Sequence, residues 1–174
     1  MPLANARGID VYVHLPAKTL DTHPPPRSIR RPMTQAGIVT FAGRPNSGKS
    51  TLLNRLLGQK LSIVSPKPQA TRDRIVGIKT DGDTQFVLYD TPGLLDPAYP
   101  LQRAMRATAL RALADADVVV HVVDAIAHPL ESLDQAANPA AVVSCPVVVA
   151  ANKADLLSPA RLAQLGADRP DAVL

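Results

Sequence analysis

From residue 37 onward the chain alternates short β-branched or apolar runs with longer stretches whose apolar positions fall three and four apart. "GIVTFAG" (37–43) is a β-rich run, and Lys49 to Leu57 carries Leu52, Leu53, Leu56 and Leu57 at helical spacing before Gly58, a residue suited to a left-handed cap. "RIVGIKT" (74–80) and "TQFVLYD" (84–90) flank "DGD" (81–83), and Asp-Gly between two such runs predicts an antiparallel hairpin. Leu101 to Ala116 reads as a helix, "VVVHVVD" (118–124) as a strand covered on both faces, Leu130 to Ala137 as a helix and "PVVVAAN" (146–152) as a second buried strand. "SPARLAQLG" (158–166) opens a helix, with Ser158 as N-cap and Pro159 in the first position. The alternation predicts an α/β fold: a doubly wound, mostly parallel sheet with one antiparallel edge hairpin.

Residues 1–32 break this pattern. "HPPPRSIRRP" (23–32) combines a proline run with charges and little periodicity, so the segment is expected to be a disordered Pro/Arg-rich extension. Two readings of it stay open, an upstream extension outside the fold and a genuine flexible tail. It holds Arg7, Lys18, Arg27, Arg30 and Arg31 against Asp10 and Asp21, which is 5 − 2 = +3 of the chain's net +4. The remainder is nearly neutral, which argues against a basic nucleic-acid-binding face across the domain. Aromatic residues make up 3% of the chain with no Trp, so the core is built from Val, Leu, Ile and Ala, as in a buried parallel sheet.

A single cysteine, Cys145, excludes an internal disulfide and is compatible with a reducing cytoplasm. No run approaches the roughly 18 to 20 apolar residues of a spanning helix, and the N-terminus has no apolar core of a secretory signal. A cytoplasmic, monomeric protein is the expectation. His121, inside an apolar strand, and Cys145 are expected to be packing residues rather than catalysts.

"GRPNSGKST" (43–51) joins the first strand to the first helix and matches G-x-x-x-x-G-K-[S/T] through Gly43, Gly48, Lys49 and Ser50. A random chain of this length would match on the order of one time in a hundred or less. Glycines allow main-chain N–H groups to approach phosphates, and the helix N-terminus adds partial positive charge. The expected phosphate-binding residues are Gly43, Arg44, Pro45, Asn46, Ser47, Gly48, Lys49, Ser50 and Thr51, with Lys49 on the β- and γ-phosphates and the Ser50 hydroxyl on Mg²⁺. The fold is thereby specified as a P-loop NTPase.

"NKAD" (152–155) ends a predicted strand, where open α/β sheets bind ligands. Asp155 can accept two hydrogen bonds from guanine N1–H and its exocyclic amine, which adenine does not offer; Asn152 and Lys153 would secure the loop and cover the base. "DTPG" (90–93) follows another strand. Asp90 would reach Mg²⁺ through water, while Thr91, Pro92, Gly93 and Leu94 complete the phosphate side, with the Gly93 N–H meeting the γ-phosphate. In "SPKPQATRDRIVGI" (65–78), Thr71 is the expected second hydroxyl ligand of Mg²⁺. The residues expected to act in catalysis are Lys49, Asn46 and Thr71.

Over residues 35 to 165 these motifs, with "AGIVTFAGRPNSGKSTLLNRLLGQKLSIVSPKPQATRDRIVGI", "YDTPGLL" and "ANKADLL", resemble the translation-factor-like small GTPases and within them the bacterial ribosome-assembly GTPases of the Era type. The resemblance implies a Ras-like G domain that hydrolyses GTP to GDP and phosphate, acts in maturation of the small ribosomal subunit by contact with its ribosomal RNA, and is sometimes found peripherally at the inner membrane. It also implies that Asn46 helps bind K⁺ beside the phosphates, and that Leu94, standing where Ras-like relatives have a water-orienting glutamine, makes hydrolysis slow.

Ala70 departs from the second hydroxyl residue common in the family before the switch threonine. Residues 33–174 are expected to be an incomplete G domain: the Ser-Ala loop, the last strand and helix, and the RNA-binding KH domain have no counterpart, which would leave Val147 to Ala150 as an unpaired apolar edge. Two functional classes follow, a GTPase and a nucleotide-dependent binding switch with negligible hydrolysis. RNA binding through the basic tail is a third, weakened by the absence of aromatic neighbours beside Arg27, Arg30 and Arg31.

Overall fold

The computed structural model describes residues 35–65, 70–126, 130–137 and 143–173. The expectations for residues 1–32, and for positions 66–69 of the loop before Thr71, lie outside the described residues. Five strands form one sheet in the order β2-β3-β1-β4-β5, with β1 Gln35–Ala42, β2 Ile75–Asp81, β3 Thr84–Asp90, β4 Val118–Asp124 and β5 Val147–Asn152. Only β2 runs antiparallel, paired with β3 across a turn in which Gly82 takes φ 58°. That turn is the Asp-Gly hairpin the sequence predicts. The helices are α1 Lys49–Leu57, α2 Pro100–Ala114, α3 Leu133–Ala137 and α4 Pro159–Asp168.

Successive residues of β1 serve opposite faces, as the two-residue period of a strand requires. Phe41 packs with Leu53 and Leu57 of α1, Leu88 and Val122, while Ala42 packs on the other face with Ala109 and Leu113 of α2, Val119, Leu133 and Ala136. The apolar run at 118–124 is therefore a strand covered on both sides, whereas 147–152 departs from that expectation: in β5 only Val149 and Ala151 are buried, because β5 lies at the end of the sheet order beyond β4. Gly58 caps α1 in the left-handed region at φ 70°, and the Ser158 hydroxyl accepts the Arg161 N–H at the start of α4. The helix expected from Leu130 is shorter than its pattern: α3 begins only at Leu133, because the Ser132 hydroxyl accepts the Gln135 N–H and caps the helix at that point.

The expected unpaired edge at Val147 to Ala150 is corrected at its C-terminal half. Beyond α4 the chain returns to β5, where Val173 donates its N–H to Val149 O at 2.8 Å and accepts the Ala151 N–H at 2.8 Å, a parallel bridge opposite Ala150. Val147 and Val148 remain exposed. Among the described residues no helix is long and apolar enough to cross a membrane.

His121 lies buried within β4, between Ala42 of β1 and Val149 of β5, and neither ring nitrogen finds a hydrogen-bond partner among the described residues. Burial pushes its pKa down from 6.5 to about 4, with Glu131 opposing the shift. Because the unfolded chain binds the proton more readily, stability falls as pH drops from about 6.5 toward 4. Replacing His121 by Phe removes this dependence and leaves no orphaned polar atom. Urea denaturation should show His121→Phe losing less stability than the parent protein between about pH 7 and about pH 4.5. Parallel losses would contradict it.

Candidate functional site

Residues 43–48 leave the end of β1 and wrap over the first turn of α1. Gly43, Asn46 and Gly48 take φ of 147°, 61° and 99°, so the loop turns back on itself in the backbone form that makes anion-binding concavities. Lys49 begins α1 and is buried; its Nζ donates to Gly43 O at 3.1 Å and Arg44 O at 2.8 Å. Burial lowers its pKa from 10.5 to about 8, with the Asp90 charge opposing. The ammonium and the helix N-terminus together form a cationic seat suited to phosphate.

Gly48 shows why this position takes glycine. A Cβ there would lie 2.0 Å from Asn152 Nδ2, which itself donates to Ser47 O at 2.8 Å. Asn152, at the end of β5, thus fastens the loop from 105 residues away in sequence.

A second set of groups converges beside Ser50. Its hydroxyl donates to Asp90 Oδ2 at 2.6 Å, and Thr71 Oγ1 lies 3.2 Å from Ser50 Oγ and 3.4 Å from Asp90 Oδ2. Asp90 Oδ1 is buried with no hydrogen-bond partner among the described residues, and burial raises the carboxyl's pKa, opposed by the Ser50 hydrogen bond and Lys49. Hard oxygen donors around an under-satisfied carboxylate fit a Mg²⁺ ion, which would favour the ionised form. The next residues are tightly held: Thr91 Oγ1 donates to Phe41 O at 2.7 Å, and Leu94 N donates to Gly43 O at 2.9 Å. A Cβ on Gly93 would come within 2.6 Å of Pro45 N, so this backbone touches the phosphate loop. The Leu94 side chain is fully buried in the core beside α2 and α3.

At the far end, Lys153 (φ 62°) leads into a 3-10 turn, Ala154–Leu156, which exposes Asp155. Asp155 shares one cleft of about 570 Å³ with Pro45, Asn46, Gly48, Lys49, Ser50, Thr51, Thr71, Thr91, Gly93, Asn152 and Lys153. Of the other expected phosphate-side residues, Gly43, Ser47, Asp90, Pro92 and Leu94 are buried behind this wall. The Arg44 guanidinium turns away to a two-pronged ion pair with Glu131, at 2.6 and 3.0 Å, so its part in the loop is its carbonyl.

Several residues outside the motifs contribute. Asn54 accepts the N–H groups of Leu61 and Ser62 and shapes the chain leaving α1. Exposed Ile63, Val64 and Leu156 add apolar wall to the cleft. Arg106 donates to Leu95 O at 2.9 Å and Ala137 O at 2.5 Å, joining the segment after Leu94 to the end of α3. Asp124 pairs with Lys153 at 2.5 Å. Its sequence signal is the one that marks Asp90: a carboxylate closing a buried strand.

A family model described as 50S ribosome-binding GTPase matches residues 38–153, the span from β1 to the loop after β5. The chain belongs to this family. Within it the chain is an Era-type G domain: it is 49% identical over 133 residues to GTPase Era of Marinobacter nauticus, covering 72% of this chain and 41% of that protein. It is 50% identical over 123 residues to GTPase Era of Pseudomonas aeruginosa, covering 70% of this chain and 40% of that one. The chain therefore spans about two fifths of these curated relatives.

Among solved structures, it resembles Era in complex with MgGDPNP and nucleotides 1506–1542 of 16S ribosomal RNA, with TM-score 0.67 and 36% identity over 79% of this chain and 49% of that one. It also resembles NFeoB from S. thermophilus bound to GDP·AlF4⁻ and K⁺, with TM-score 0.51 and 28% identity over 70% of this chain and 46% of that one.

Gly48→Ala forces a left-handed backbone on a residue with a Cβ and displaces the Asn152 amide. Together these should cost about 2 kcal/mol or more. Chemical denaturation that places Gly48→Ala within about 0.5 kcal/mol of the parent, the scatter of an ordinary surface substitution, would contradict the packing described.

Proposed function

We propose that the chain binds GTP and GDP with Mg²⁺ and hydrolyses GTP slowly. The observation that carries this is one cleft lined by Lys49 and the α1 mouth, by the Ser50 and Thr71 hydroxyls with Asp90 directly behind them, and by Asp155. The geometry matches three separate parts of one ligand: phosphates, their counter-ion and a guanine edge. Lys49 and the loop amides stabilise charge on the β- and γ-phosphates, and Asp155 accepts guanine N1–H and its amine. Bound Mg²⁺ would supply charge neutralisation at the phosphate oxygens, held by Ser50 and Thr71 with Asp90 behind them.

Turnover by this site is slow because Leu94 is folded into the core and offers no polar atom to an attacking water. The same observation favours the second reading, a switch that binds nucleotide with negligible hydrolysis and orders the segments around Thr71 and Gly93 for a partner. Following the RNA-bound Era structure, the partner is the small ribosomal subunit through its 16S ribosomal RNA. The K⁺ in the NFeoB complex supports an equivalent ion beside exposed Asn46.

Replacing Asp155 by Asn should convert the preference from guanosine to xanthosine nucleotides by about 100-fold or more, because the amide donates where the carboxylate accepted. An unchanged preference in competition titrations would refute guanine recognition by this residue. Single-turnover hydrolysis should be faster in K⁺ than in Na⁺ buffer; equal rates remove the K⁺ assignment, and no product in either favours the non-hydrolysing switch.

A further inference from the structure

We infer that Asp124 is a positioning residue for purine recognition, acting through Lys153; this rests on the guanine-nucleotide reading above. Asp124 closes β4 directly opposite Asn152, and Ala125 N donates to Asn152 O at 3.0 Å, so the two strand ends are locked together. The Asp124 side chain is 9% exposed, and its two oxygens have separate tasks. Oδ1 accepts the Ile126 N–H at 3.0 Å and fixes the carboxylate plane, while Oδ2 accepts the Lys153 ammonium at 2.5 Å.

Lys153 needs such a partner. It is one of two non-glycine residues with positive φ among the described residues, a conformation that costs about 1 to 2 kcal/mol and persists only where surroundings impose it. Its carbonyl accepts the Leu156 N–H at 3.1 Å and so starts the 3-10 turn that presents Asp155. On one side of Lys153 stands Asn152, tied to Ser47 of the phosphate loop; on the other stands Asp155, facing the cleft. The Asp124 carboxylate thus holds the junction between the phosphate end of the site and its base end. A pair this sheltered on the carboxylate side is less screened than an exposed one.

The test is a double-mutant cycle on the full 174-residue chain, using Asp124→Asn, Lys153→Met and both together. Fluorescent GDP titration reads affinity, and far-UV circular dichroism with thermal melting reads folding. Asp124→Asn keeps an acceptor for the Ile126 N–H and removes the charge. It should weaken GDP by about tenfold in the parent background and by less than about twofold when Lys153 is already Met. An equal factor in both backgrounds overturns the inference, since it would show Asp124 acting independently of Lys153. Should Asp124→Asn fail to fold, Asp124→Ser carries the same cycle with a smaller side chain that still accepts that N–H. If the parent protein itself binds no GDP, the nucleotide reading falls and this inference with it; binding with an additive cycle removes the inference alone.

Discussion

The burial of one ammonium group organises this molecule's functional end. Lys49 sits at the mouth of α1, where its charge adds to that of the helix N-terminus instead of offsetting it. Two main-chain carbonyls satisfy its hydrogen bonds, and the pKa near 8 reflects its burial away from water, opposed by the Asp90 charge. A lowering from 10.5 to about 8 corresponds to roughly 3 kcal/mol of unfavourable burial. A nearby negative charge favours the ammonium form and so opposes that cost. The left-handed turns of the loop and its fastening by Asn152 therefore hold this buried ammonium at the helix mouth.

Holding such a loop requires support from distant parts of the chain. Arg44 reaches Glu131 ahead of α3, and Arg106 of α2 reaches the Ala137 carbonyl at the end of α3 as well as Leu95. Between these two anchors Leu133, Ala136 and Ala137 pack against Leu94 and Ala42. A five-residue helix has little stability of its own. Its order comes from being fastened at both ends to segments that border the cleft, so the core on that face and the phosphate wall form one packed unit.

The parts legible in the sequence were those governed by local rules. Asp81 and Gly82 force a tight turn, leucines at 52, 53, 56 and 57 impose a helix face, and Gly58 ends it; each depends on neighbours within a few positions. The three nucleotide motifs were legible because each follows a strand and therefore shares one end of the sheet. What escaped depended on side chains meeting across long separations. Arg44 reads as a phosphate ligand until Glu131, 87 residues away, is seen to claim its guanidinium. The pairing of Val173 with β5 escaped because a single bridge leaves no periodic pattern.

Leu94 shows how one apolar residue links these observations. Its amide is bound to Gly43 O, inside the phosphate loop, while its side chain fills the core shared with α3. Gly93 beside it touches Pro45, so the backbone that would meet a γ-phosphate cannot move toward or away from the loop without disturbing that packing. A polar glutamine at 94 would have to leave this apolar pocket or bury its amide unpaired, at a cost of about 1 to 3 kcal/mol. Leucine removes that conflict. It gives up a side chain able to orient water and gains a rigid connection between the phosphate loop and the core.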